Sequence, residues 1–198
     1  MRALLTGGNG FVGRHLAEHL RQSGDEVAIL DLPDDITDVA VVERTLREVR
    51  PEAIYHLAAL SHVGSSWSDP SEVLRVNVIG SAVTFAVARE VVPTATTLLV
   101  SSAEVYGTVQ PEQLPLDESA APAPMSPYAA SKLAAESATL AGLAEGVWPS
   151  LDAISSQWEL DSEFRPADDR TFPDLFHAEW VRAVERSRSS IRQCSCNP

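Results

Sequence analysis

Apolar residues in this chain fall into short unbroken runs, separated by stretches where they recur every three or four positions. Ala3 to Thr6 is the first run, and it ends in Gly7-Gly8-Asn9-Gly10. Phe11, Val12, Leu16 and Leu20 then follow at helical spacing until Ser23-Gly24-Asp25 breaks the pattern. Glu26 to Asp31 reads as a second buried strand, and Val39 to Val49 as a helix stopped by Arg50-Pro51. Ala53 to Leu57 predicts a third strand, Ser71 to Val92 a long helix ended by Pro93, and Thr97 to Ser101 a fourth strand. A polar, proline-rich loop spans Gly107 to Ser126, and an alanine-rich helix spans Tyr128 to Leu143. Strand and helix thus alternate four times. Continuous apolar strands of this kind predict a parallel sheet covered on both faces, a doubly wound α/β fold of the Rossmann type.

The pattern changes after Leu143. Trp148, Trp158 and Trp180 lie beyond it, as does only one glycine, Gly146, of ten. No clear strand follows. Pro173-Asp174 could open a helix through Ala178, Val181 and Val184, and Ser187 to Pro198 reads as a frayed end. We therefore expect a domain over residues 1–143 and an atypical, irregular or helical tail over 144–198.

Composition narrows the function. The chain has 198 residues, 44% hydrophobic and 22% charged, which suits a globular domain. The formal net charge of -13 disfavours nucleic acid as a partner. It leaves room for an anion site built from backbone N–H groups, which needs no basic side chain. No apolar run approaches the ~20 residues that span a bilayer, so no membrane association is expected. Met1 to Thr6 reads as a strand rather than a signal peptide. Cys194 and Cys196 are the two cysteines, which leaves the body without a disulfide framework, and no metal site is expected from a Cys-x-Cys pair alone. A cytoplasmic protein is the expectation.

Gly7, Gly10 and Gly13 follow the first strand and open the first helix. Gly7 permits a tight turn, Gly10 lets a pyrophosphate approach the backbone, and Gly13 lets helix and strand pack closely. The helix N-terminus then presents N–H groups and a favourable dipole to phosphate. Asp31, 18 residues after Gly13, ends the second strand. Its carboxylate would accept hydrogen bonds from the adenosine ribose and repel a 2′-phosphate, which favours NAD over NADP. The plainer reading is a turn aspartate before Pro33. Asp35, followed by Ile36, offers a carboxylate to an adenine amino group.

Tyr128 and Lys132 lie four apart at the start of a helix and so share one face. Lys132 is the sole lysine of the chain. An ammonium one turn from a phenol favours the phenolate, and such a tyrosine passes a proton to or from a substrate oxygen. Ser102 follows the fourth strand, at the sheet edge where ligands bind, and could hold the same oxygen. Glu104 reads either as a carboxylate base or as a solvated loop acid.

These pieces resemble the extended short-chain dehydrogenase/reductase superfamily of NAD-dependent epimerases and dehydratases. The matching stretches are Thr6 to Gly13, His56-Leu57-Ala58-Ala59, Ser101 to Gly107 and Tyr128 to Lys132. Ser61 to Trp67, Asn77-Val78-Ile79-Gly80 and Pro127-Tyr128 resemble most closely the GDP-mannose 4,6-dehydratases and GDP-4-keto-6-deoxymannose reductases, although UDP-sugar 4-epimerases share much of them. The resemblance implies a cofactor set of Gly7, Gly10, Phe11, Val12, Gly13, Asp31, Asp35, Ile36, Leu57, Ala58, Ala59, Tyr128 and Lys132. It implies catalysis by Ser102, Glu104, Tyr128 and Lys132, with His62 and Ser102 on the substrate.

In a dehydratase, Tyr128 would deprotonate the sugar O4 while NAD takes hydride from C4. Glu104 would remove the C5 proton, water would leave C6, and hydride would return there. A reductase would need only Ser102, Tyr128 and Lys132, with an external reduced cofactor. Ala103 stands where the glucose-nucleotide dehydratases carry an acid, which disfavours a dTDP-glucose activity. Asp31 without a following arginine departs from the NADP-using GDP-mannose dehydratases.

A GDP-mannose 4,6-dehydratase is the first expectation. A reductase or epimerase of the same family, and a cofactor-binding module without turnover, stand as alternatives. The resemblance also implies a homodimer through the helices at Ser71–Val92 and Tyr128–Leu143. The family continues with another strand and a substrate-binding half, which residues 144–198 do not resemble. A truncated or frameshifted product is therefore expected, with an exposed sheet edge prone to self-association.

Overall fold

The computed structural model describes residues 1–117 and 119–144, the last four by their backbone alone. Four strands form one parallel sheet in the order β2-β1-β3-β4. They are β1 (Arg2–Thr6), β2 (Glu26–Leu30), β3 (Ala53–His56) and β4 (Thr96–Leu99). The helices are α1 (Phe11–Gln22), α2 (Val39–Val49), α3 (Val63–Ser66), α4 (Pro70–Leu74), α5 (Gly80–Val91) and α6 (Pro127–Ala144). Parallel neighbours require crossovers, and helices supply them between every pair of successive strands. The chain winds from β1 out to β2, then returns to the other side of β1 for β3 and β4. The switch between β1 and β3 opens a crevice at the carboxyl ends of the strands, where sheets of this type hold ligands.

Alternation along β1 explains the two-faced core. Ala3 and Leu5 pack with Ala17 and Leu20 of α1 on one face. Leu4, between them, joins Leu30, Val42, Leu46, Ile54 and Val87 on the other, under α2 and α5. Asp38 starts α2 by accepting the Ala40 N–H, and Arg50 ends it in a left-handed conformation at φ 48°. The expected doubly wound arrangement is therefore present.

Three expectations need correction. The helix expected over Ser71–Val92 is helical from Pro70 to Val91 but contains a π-turn at Arg75–Ile79. The wider turn brings Asn77 inside, where its Oδ1 accepts the Leu60 N–H at 2.8 Å and its Nδ2 donates to Leu60 O at 3.1 Å and to Ser131 Oγ at 2.9 Å. By length and composition this 22-residue run also passes for a membrane span, contrary to the expectation that no stretch comes near one. It packs on α2 and α6 and buries Asn77, Ser81, Thr84 and Val87.

The third correction concerns β4, which is not covered on both faces: Leu98 is 50% exposed, and Val100 just beyond the strand is 39% exposed. Smaller shifts have one cause. β3 ends at His56 and β4 at Leu99, earlier than the apolar runs, because Leu57–Ser61 and Val100–Ser101 leave the sheet to wall the crevice. The proposed tail with its helix at Pro173, Cys194 and Cys196 lies outside the described residues.

Candidate active site

The crevice is a cavity of about 660 Å³. Gly7 begins its floor with φ 69°, a left-handed backbone that glycine adopts without strain. A Cβ on Gly13 would stand 2.5 Å from Gly7 O and 2.6 Å from Gly8 Cα, so helix and strand approach as closely as the spacing predicts. Gly10 differs: a Cβ there would meet nothing nearer than Gly7 O at 3.2 Å, with open space beyond. Helix α1 has no side-chain cap at Gly10 and no acidic residue in its first turn. Its N-terminus therefore opens into the cavity as a backbone cradle of positive potential.

Asp31 reaches the same wall from the end of β2. Its Oδ2 accepts the Asn9 N–H at 2.7 Å and its Oδ1 the Leu32 N–H at 2.8 Å. The carboxylate thus braces the glycine loop, a contact 22 residues distant that spacing alone does not reveal, and it keeps a lone pair on each oxygen for a ligand. Asp35 and Ile36 also face the cavity. The Asp35 carboxylate, however, accepts the Thr37 N–H and Oγ1–H through Oδ1, and Arg75 Nη1 at 3.0 Å through Oδ2. These bonds, those from Thr37 first, hold its pKa below the usual range. An adenine amino group would have to share this occupied carboxylate.

Sequence reasoning missed Arg75. It projects from the π-turn into the wall and forks onto Glu72 at 2.8 Å through both Nε and Nη2. The arginine that does not follow Asp31 in sequence is thus present in space, but Glu72 and Asp35 consume its charge.

The opposite wall is α6. Tyr128 and Lys132 are 8% and 5% exposed and both line the cavity. Lys132 Nζ donates to Val100 O at 2.7 Å. Burial lowers its pKa, and the Glu136 carboxylate one turn further on opposes that shift. Leu57, Ala58 and Ala59 close the floor. The cavity therefore gathers every residue of the expected cofactor set. Ser102, Glu104 and His62 stand outside its wall, which at this point is Val100 and Ser101. Ser102 Oγ accepts the Glu104 N–H at 3.2 Å and starts a 3-10 turn over Ala103–Tyr106, with Glu104 exposed. His62 caps α3 by accepting the Ser65 N–H at 3.0 Å. No metal-binding cluster of His, Cys, Asp and Glu occurs among the described residues.

Beneath the floor, His56 is buried between Thr6 Oγ1 at 2.8 Å and Ser81 Oγ at 3.0 Å. Ser81 donates its own proton to Asn77 O, so it must accept from His56 Nε2–H. Ser81 thus places a proton on Nε2, and burial keeps the ring neutral, so Nδ1 accepts the Thr6 hydroxyl proton while Thr6 Oγ1 accepts the Ala58 N–H. Burial first, and the Lys132 charge second, push its pKa down to about 3 from 6.5. Between these values the unfolded chain binds a proton that the folded chain refuses, so His56 stabilises the fold fully above pH 6.5 and progressively less below it. The urea midpoint is expected to fall between pH 6.5 and about 5, above the range where carboxylates titrate, and to fall less in His56→Gln. A midpoint equally flat in both proteins would refute this.

Fold and site together define a dinucleotide-type α/β domain with a tyrosine–lysine pair in its crevice. The NAD dependent epimerase/dehydratase family matches residues 3–175, and the chain belongs to that family. The match runs past Leu143, where the domain boundary is expected. GDP-6-deoxy-D-mannose reductase of Pseudomonas aeruginosa is 36% identical over 148 residues, 73% of this chain and 48% of the relative. dTDP-glucose 4,6-dehydratase of Neisseria gonorrhoeae is 32% identical, over 67% of this chain and 47% of the relative. The structure of Thermus thermophilus UDP-glucose 4-epimerase in complex with NAD superposes with a TM-score of 0.67 at 36% identity, over 74% of this chain and 52% of that one. The chain spans about half the length of the relatives it matches.

Proposed function

We propose that this chain holds NAD in the crevice and forms the cofactor half of an enzyme that exchanges hydride at C4 of a GDP-linked hexose, as a 4-keto reductase. The observation that carries the reading is the placement of the open glycine cradle, Asp31, Tyr128 and Lys132 in one cavity. When bound, the nicotinamide supplies hydride chemistry. The chain's own residues hold and protonate: backbone N–H groups of the α1 N-terminus take the pyrophosphate, Asp31 the ribose, and Tyr128 moves a proton at the sugar O4 beside the Lys132 ammonium. The 36% identity to a GDP-6-deoxy-D-mannose reductase supports the sugar class.

Dehydration, the first expectation from sequence, needs Glu104 at C5. Glu104, like Ser102, lies outside the cavity wall, so the choice of reduction rests on the 36% identity to a GDP-6-deoxy-D-mannose reductase rather than on the placement of either residue. The test offers the chain GDP-4-keto-6-deoxymannose with NADH, and GDP-mannose with NAD. NADH oxidation in the first supports reduction, and a 4-keto product in the second restores dehydration. NADH binding with neither reaction leaves the reading of a cofactor-binding module.

Cofactor choice follows from the same wall. Asp31, Asp35 and Glu72 outnumber Arg75 there, so a 2′-phosphate meets net negative charge. Asp31→Ala is expected to narrow the ratio of NADPH to NADH dissociation constants about tenfold, roughly 1.4 kcal/mol. The ratio is the quantity to read, because losing the brace on Asn9 weakens both cofactors. An unchanged ratio rejects the ribose role.

A further inference from the structure

Glu136 lies four residues beyond Lys132 on α6, and so on the same face. Its carboxylate accepts the Ser101 hydroxyl proton, while Lys132 Nζ donates to the carbonyl of Val100, the preceding residue. Two successive turns of α6 thus grip two successive residues at the end of β4. We propose that Glu136 is a positioning residue, which through Ser101 holds the buried Lys132 ammonium charged and in register against the end of β4.

The physical case starts from burial. Lys132 is 5% exposed, and a neutral carbonyl does not compensate the desolvation of a full positive charge. A nearby anion does, and the Glu136 carboxylate acts on Lys132 in that sense, against burial. Among the described residues, His56 on β3 is kept neutral by burial and supplies no negative charge to the ammonium. Ser101 matters because it pins the carboxylate to the helix face that looks at the cavity. It also adjoins Ser102, so the same contact sets how the strand end meets the face carrying Tyr128.

The inference rests on reading Tyr128 and Lys132 as the proton-handling pair, but its test needs neither cofactor nor substrate. Lys132 is the only lysine, so selective isotope labelling of lysine gives one side-chain signal whose pH titration reads this ammonium directly. Glu136→Gln removes the charge yet still accepts the Ser101 proton, and circular dichroism checks that it folds. Its midpoint is expected to move to lower pH, with Glu136→Asp staying closer to wild type. Ser101→Ala frees the carboxylate and gives a second reading, a smaller move in the same direction. A folded Glu136→Gln protein with an unmoved midpoint would overturn the proposal, as would an unmoved midpoint in Ser101→Ala if the glutamine variant does not fold. Failure of NADH binding would sink the functional reading and leave this titration standing.

Discussion

Replacing Gly10 with valine is expected to abolish NADH binding, by at least about 100-fold or roughly 2.7 kcal/mol, in a protein that still folds. The prediction depends on the difference between two glycines of one motif. At Gly13 a Cβ runs into the backbone of Gly7 and Gly8 at 2.5 and 2.6 Å, so a side chain there damages the fold and the site together. At Gly10 it meets only Gly7 O at 3.2 Å and otherwise projects into open space beside the α1 N-terminus. Valine there occupies the volume that a pyrophosphate needs. Thermal unfolding near that of the wild type, with NADH fluorescence that no longer saturates, is the expected pair of results. Undiminished NADH affinity in a folded Gly10→Val protein refutes the reading of the loop.

Tyr128→Phe is expected to lower hydride transfer about 10²- to 10⁴-fold while NADH affinity stays within a factor of a few. The substitution deletes one hydroxyl and keeps the ring. Tyr128 is 8% exposed in the first turns of α6, and its carbonyl accepts the Ser131 proton at 2.7 Å, a contact the variant retains. Ser131 in turn meets Asn77, so the helix stays tied to the π-turn and to Leu60. What disappears is the proton at the substrate oxygen. Unchanged turnover with the 4-keto sugar removes Tyr128 from the mechanism.

Much of this was legible because it is local. Strand runs, helical spacing, the glycine triplet and the Tyr128–Lys132 step of four each depend on residues close in sequence, and each element lies where those patterns place it, apart from the earlier ends of β3 and β4 and the π-turn. The features that were not legible depend on distant partners. The π-turn at Arg75–Ile79 exists alongside the contacts of Asn77 with Leu60 and Ser131, which are 17 and 54 residues away. Arg75 meets Asp35 across 40 residues, and Asp31 braces Asn9 across 22. The partial exposure of β4 is set by what covers the sheet, not by the apolar content of Thr97 to Val100. Glu136 carried a faint signal, since it repeats the four-residue step from Lys132, but only the Ser101 contact gives that step a meaning.

The cavity also bears on how cofactor binding can be tested. Asp31, the glycine cradle, Leu57–Ala59 and the α6 pair all lie within residues 7–132. Cofactor binding can therefore be tested without assuming sugar turnover.

The most direct measurement is a fluorescence titration of the purified chain with NADH and, in parallel, NADPH. Saturable binding of both with NADH the tighter is the predicted result, because the glycine cradle takes the shared pyrophosphate while Asp31, Asp35 and Glu72 oppose the extra phosphate. No saturable binding of either cofactor to the folded chain would contradict the assignment of this crevice as a dinucleotide site.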